Sequence, residues 1–156
     1  RLIRAFDKGE DIADTVVDTN RFLNKFEDLN DIRKTRPRAG VDVGEYRKVR
    51  GHHVHAQAGF EGHVLYDPQK GFSISQEYMK GRGWRHERMT VKQRQLFDEL
   101  AKSGRPNTLR EHTNIAVAAL KEGGATTQEA RDLVSESLRY LRRDGVRNPT
   151  RIPWND

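Results

Sequence analysis

The chain has 156 residues, the length of one domain with a modest core and room for an appended segment. Hydrophobic residues make up 34% and charged residues 33%, so the surface is heavily charged and the core small. The formal charge of +6 points to a polyanionic partner, and the lack of cysteine excludes disulfides and thiolate metal sites.

No apolar run approaches the ~18 residues of a membrane-spanning helix, and no signal-peptide pattern opens the chain. Because it opens on Arg1, we expect a piece of a longer polypeptide. From Leu2 to about Ile32, Ile12, Val16, Leu23 and Phe26 recur among charged residues at helical spacing. The segment Lys34–Gly40, KTRPRAG, breaks that pattern and sets a boundary: a helical lead-in over 1–40, a second unit over 41–156.

Val41–Ala56 is punctuated by Gly44 and Gly51 and carries Val41, Val43, Tyr46, Val49 and Val54. These are strand formers, so a short extended segment running into the histidines is predicted. Tyr66–Gly71 reads as a turn and Phe72–Ser75 as a short strand, which together make a loose hairpin carrying the histidines. Three helices follow. The first is capped by Thr90 and stops at Gly104-Arg105-Pro106; the second is capped by Thr108, with Glu111 at the capping-box position, and stops at Gly123-Gly124. The third opens with Thr126 and Glu129 and runs to about Arg143, with Ala130, Leu133, Val134, Leu138 and Leu141 as its apolar stripe. Ile152 and Trp154 are expected to pin the tail. The fold class predicted is α+β, mainly helical.

Four of the six histidines fall in Gly51–His63, GHHVHAQAGFEGH. The adjacent pair His52–His53, with His55 two residues on, suits one imidazole as metal ligand and another as general base. His63 sits in a loop, and His86 among arginines suits a phosphate contact or solvent. His112 shares a helix face with Leu109, Ala116 and Ala119 and so points inward, as a buried histidine or as a ligand facing the His52–His53 segment. Asn107, just before that helix, is either a turn residue or a polar site member. A hairpin bearing a His pair, followed by a helix presenting a His, is the logic of ββα-metal nucleases, in which one ion polarises a phosphate while a His activates water. Arg47, Lys48, Arg50, Arg85 and Arg88 would neutralise phosphates. Any ion would be a single divalent metal, Zn or Ni by its histidine ligands, or Mg.

The blocks GHHVHAQAGF, YDPQKGFSIS, RPNTLREHTNIAVAAL and PTRIPWN, in this order over about Val41–Asn155, resemble the GHH-signature toxins of the HNH/endonuclease VII nuclease superfamily. The resemblance implies a ββα-metal (HNH/His-Me finger) core with additional helices, at the C-terminus of a bacterial polymorphic toxin. It implies His53 as general base, and His52 and His112 as metal ligands. The compact HNH motif has no helix between its His pair and its helix His, whereas here one intervenes. Its central Asn has only Asn107 as a match, which leaves His55 or Glu111 to complete a metal shell. The implied activity is metal-dependent endonucleolytic cleavage, of DNA in preference to RNA, in the cytoplasm of a target cell. The implied partner is a cognate immunity protein, expected to be acidic against this basic chain. The alternatives are an RNase of the same fold, a non-catalytic nucleic-acid-binding module in which the histidines are structural, or a protein-interaction domain with a basic face.

Overall fold

A computed structural model describes residues 36–155, and the lead-in expected over 1–40 lies outside them up to residue 35. No helix among the described residues is long and apolar enough to cross a membrane. The molecule is α+β and mainly helical: three very short strands make one antiparallel sheet, and the helices follow.

β1 (Val43–Glu45) leads directly into a single helical turn, α1 (Tyr46–Val49), and β2 holds only His52–His53. The extended segment predicted for Val41–Ala56 is therefore broken in the middle. The break lies in the backbone: Arg50 (φ 55°) and Gly51 (φ 89°) both take left-handed conformations and turn the chain back toward the sheet. A Cβ on Gly51 would lie 2.1 Å from the Ile74 carbonyl oxygen, so only glycine fits there. The glycine of the GHH block is thus the corner that delivers His52 to its strand.

β3 (Phe72–Ile74) is the central strand. Val43 and His52 both pair with Ile74, and Gly44 and His53 with Ser73, so β1 and β2 flank β3 in antiparallel register. All three β3 residues are buried, as a strand covered on both faces requires. The predicted hairpin is the β2–β3 pair, with the His pair on its flank. Its connection contains 3-10 turns at Gln57–Phe60 and Pro68–Lys70, and the Asp67 carboxylate accepts from the Gln69 N–H at the second.

Ser75 caps α2 (Gln76–Gly81), a short helix that the sequence reading did not single out. α3 (His86–Ser103) begins a full turn before the predicted cap at Thr90. Thr90 instead lies inside it, its hydroxyl donating to the His86 carbonyl. Gly104 ends α3 in the left-handed conformation, as predicted. α4 (Leu109–Gly123) is capped by Thr108, but Glu111 turns away to Arg105, so that box is half-made. α5 (Thr127–Arg143) has both halves of its box, Thr126 and Glu129.

The main core joins the sheet residues Val43, Val54, Phe72 and Ile74 to Met79, Trp84 and Met89, and to the inner faces of α4 and α5. Ala56, Phe97, Leu100 and Ile115 form a second cluster, on which Ile152 packs. That contact and the fully buried Pro153 pin the tail.

Candidate functional site

His52 and His53 are 4% and 8% exposed, and the strand aims them at different neighbours. The His53 Nε2–H donates to the Pro68 carbonyl at 2.8 Å. That bond fixes the tautomer and leaves Nδ1 as the ring's lone-pair nitrogen. The ring stacks on Tyr46, with centroids 4.3 Å apart and planes 18° apart. Burial pushes its pKa below the usual histidine value, partly offset by the bond to the carbonyl, so the ring is neutral at pH 7.

The Nε2 of His52 is buried without a hydrogen-bond partner. The nearest ring is His86, edge-on with centroids 5.0 Å apart. Burial first, then His86 and His53, push the His52 pKa down to about 3. His86 is the first residue of α3, and its Nδ1 accepts from the Gln76 side-chain amide at 3.1 Å. His86 is therefore a partner of His52, where the sequence alone suggests a solvated or phosphate-contacting residue. A signal was present: Met89, Gln93, Phe97 and Leu100 lie three, seven, eleven and fourteen residues after it, so the buried stripe of α3 reaches back to His86.

His55 and His112 belong to a second group. β2 ends at His53, so the two-residue alternation does not carry on to His55. The His55 ring lies between two hydroxyls, Nδ1 to Ser137 at 2.6 Å and Nε2 to Thr113 at 3.0 Å. One nitrogen donates and the other accepts, because each hydroxyl can do either. Burial first, then His112, push its pKa down to about 3. His112 is 1% exposed, as its helix face predicted, and sits between Phe60 and Phe97 at 5.8 and 4.9 Å. Its Nε2–H donates to Asn107 Oδ1 at 2.6 Å, and its Nδ1 is buried without a partner. Gly59 faces this ring so closely that a Cβ there would lie 2.6 Å from the His112 Cε1. Burial pushes the His112 pKa to about 4, against a small raising effect of Glu111.

The structure thus pairs His52 with His86, sets His53 against Tyr46 and Pro68 on the other side of the strand, and separately gathers His55 and His112 in the core, with half-buried Asn107 bonded to His112. The three residues expected as metal ligands do not fit one shell. His55 has both nitrogens engaged, His112 has one nitrogen given to Asn107, and His52 stands against His86 instead of these two. Among the described residues, no three of the His, Asp and Glu side chains gather so as to hold a metal ion.

The five expected phosphate contacts are all exposed. Arg47, Lys48 and Arg50 precede the His pair on α1 and its corner, and Arg85 and Arg88 bracket His86 at the start of α3. Arg47 is paired with Glu45 at 2.8 Å and Arg85 with Glu87 at 2.6 Å. His63 stays local, its Nδ1 accepting from the Leu65 N–H. An open cleft of about 300 Å³ borders the turn that holds His53, lined by Gln57, Ala58, Glu61, Gly62, Tyr66 and Pro68. It has one carboxylate and no cation in its wall, so its charge disfavours a phosphate. Models of known protein families, curated proteins and solved structures all give no match to this chain.

Proposed function

We propose that this chain is the nuclease domain of a bacterial toxin, cleaving phosphodiester bonds of nucleic acid, DNA in preference to RNA. The observation that carries the reading is His53. A backbone carbonyl fixes its tautomer, a stacked tyrosine fixes its plane, and burial keeps it neutral, so one basic nitrogen is held ready at pH 7. The His53 Nδ1 takes a proton from the attacking water. His52 leaves the strand on its other side, where it meets His86 edge-on. Exposed cations on α1 and at the start of α3 bind and orient the phosphates on either side.

The resemblance to GHH-signature toxins supports this reading and adds a divalent metal, an acidic immunity protein and delivery from a larger toxin into the cytoplasm of a target cell. The expected ligand trio, His52, His55 and His112, does not form one shell. The test is cleavage of supercoiled plasmid and of total RNA by the purified chain, with Mg, Zn, Ni or EDTA. Nicking of plasmid by the wild type and none by His53→Ala is the result expected. Equal cleavage by both proteins removes His53 from the mechanism.

A second reading, a non-catalytic nucleic-acid-binding module, draws on one observation. His55 and His112 are core residues held by hydroxyl, amide and aromatic neighbours. It requires salt-sensitive binding with no cleavage under any of those conditions.

A further inference from the structure

The PTRIPWN block is not used by the chemistry above, and it holds the most exposed aromatic ring of the described residues. Trp154 is 44% exposed, while Trp84, the chain's other tryptophan, is 6% exposed and lies in the core. The Trp154 backbone is left-handed, φ 63°, a conformation that bulky side chains rarely adopt. The fold therefore accepts backbone strain and leaves an indole in water at the same residue. Anchoring of the tail does not account for this, because Ile152 packs on the second cluster and Pro153 is fully buried. The indole is also held in place. The Arg94 guanidinium lies 4.8 Å from its ring centroid, and the buried Phe97 ring meets it at 5.9 Å and 61°. On the exposed face of α3, Arg88, Val91 and Arg94 follow one another at three-residue steps. Val91 is 65% exposed. This ridge starts two residues after His86 and ends at the indole. At 1.5 Å per residue, eight residues separate His86 from Arg94 by about 12 Å along α3.

An aromatic face braced by a guanidinium, at the end of a basic ridge, is what a base of an unpaired strand stacks on. The geometry points to Trp154 and Arg94 as a nucleobase-stacking platform that takes a single-stranded segment of the nucleic acid. The phosphates of that segment run along Arg94 and Arg88 toward His86. This rests on the nuclease reading and adds to it a preference for unpaired strand at the platform. In a duplex every base is already stacked and paired, and the platform has nothing to hold.

The test uses the full chain carrying His53→Ala, so that binding is measured without cleavage. Fluorescein-labelled dT12 and a 12-base-pair duplex are titrated by anisotropy, and tryptophan emission is followed with unlabelled dT12. The expected result is quenching that disappears in Trp154→Phe, because the buried Trp84 does not report. Trp154→Leu should weaken dT12 binding by about tenfold and duplex binding by less than twofold, the loss of one base–aromatic stack. Trp154→Phe keeps a ring against Phe97 and should stay within about threefold of the parent. Because stacking releases no counterions, the ratio of parent to Trp154→Leu affinity should be the same at 50 and 300 mM salt. Unchanged dT12 affinity in Trp154→Leu, or no quenching at saturation, overturns the platform. A wild type that cuts plasmid while Trp154→Leu binds dT12 normally leaves the nuclease reading standing and removes the platform. Quenching by dT12 with no cleavage by the wild type does the reverse.

Discussion

His53→Ala removes both a lone pair and the ring that Tyr46 stacks on, while the Pro68 carbonyl can turn to water. Plasmid cleavage should fall about 10²–10⁴-fold with the far-ultraviolet circular dichroism unchanged. The pH profile of the wild type carries a second check. Burial lowers the His53 pKa, so the acid limb of kcat/KM should lie below the ordinary histidine value of 6.5. A limb at or above 6.5 would mean that another group is the base. His55 behaves differently. Ser137→Ala leaves a ring nitrogen of a fully buried histidine without its hydroxyl, which should cost about 1–3 kcal/mol in urea unfolding. At this scale the sequence showed residue types better than partners. The helix face of His112 predicted its burial, because neighbours three and four residues away decide it. The pairings His52–His86 and His55–Ser137 join residues 34 and 82 positions apart, and no local spacing encodes them.

Among the elements, α4 and α5 were legible because their signals are local: a threonine cap, a glutamate three residues on, an apolar stripe and a glycine stop. α3 was read a turn short, because Arg85 caps it with backbone alone and Thr90 looks like the better cap. The strands were read as longer than they are. Two or three residues carry no measurable alternation, and the corner at Arg50–Gly51 is a matter of φ angles. Thr126→Ala should cost about 1 kcal/mol by opening the complete box of α5. The loss should reach past that helix, since Glu129 also bonds Arg82, which follows α2. Gly51→Ala should be far worse, with a left-handed φ and a Cβ driven into the Ile74 carbonyl. Loss of cleavage together with a lowered unfolding midpoint is the expected outcome.

Among the described residues, four histidines are buried in the neutral form: burial lowers His53, and takes His52 and His55 to about 3 and His112 to about 4. Unfolded, each returns to about 6.5 and binds a proton that the native state refuses. For His52, His55 and His112 this contribution to stability is complete above pH 6.5 and is lost as the pH falls toward 3 to 4, at roughly 1.4 kcal/mol per pH unit for each. Urea midpoints measured at pH 7.5 and pH 5 should therefore separate widely, and a His55→Gln, His112→Gln double variant should narrow the gap. An unchanged gap would place the acid sensitivity elsewhere.

The hydroxyl clamp on His55 has a consequence in time. Its two partners lie 58 and 82 residues further along the chain, on α4 and α5. Contacts of such separation close late, because the intervening loop entropy must be overcome first. A chain synthesised or threaded from its N-terminus therefore carries the whole GHHVH stretch long before Ser137 emerges. Until the last helix docks, His55 has only one of its two hydroxyl partners, Thr113. Fragments that stop before Thr126 keep His53 in sequence and should cut nothing. The order of emergence would thus delay activity without any inhibitor.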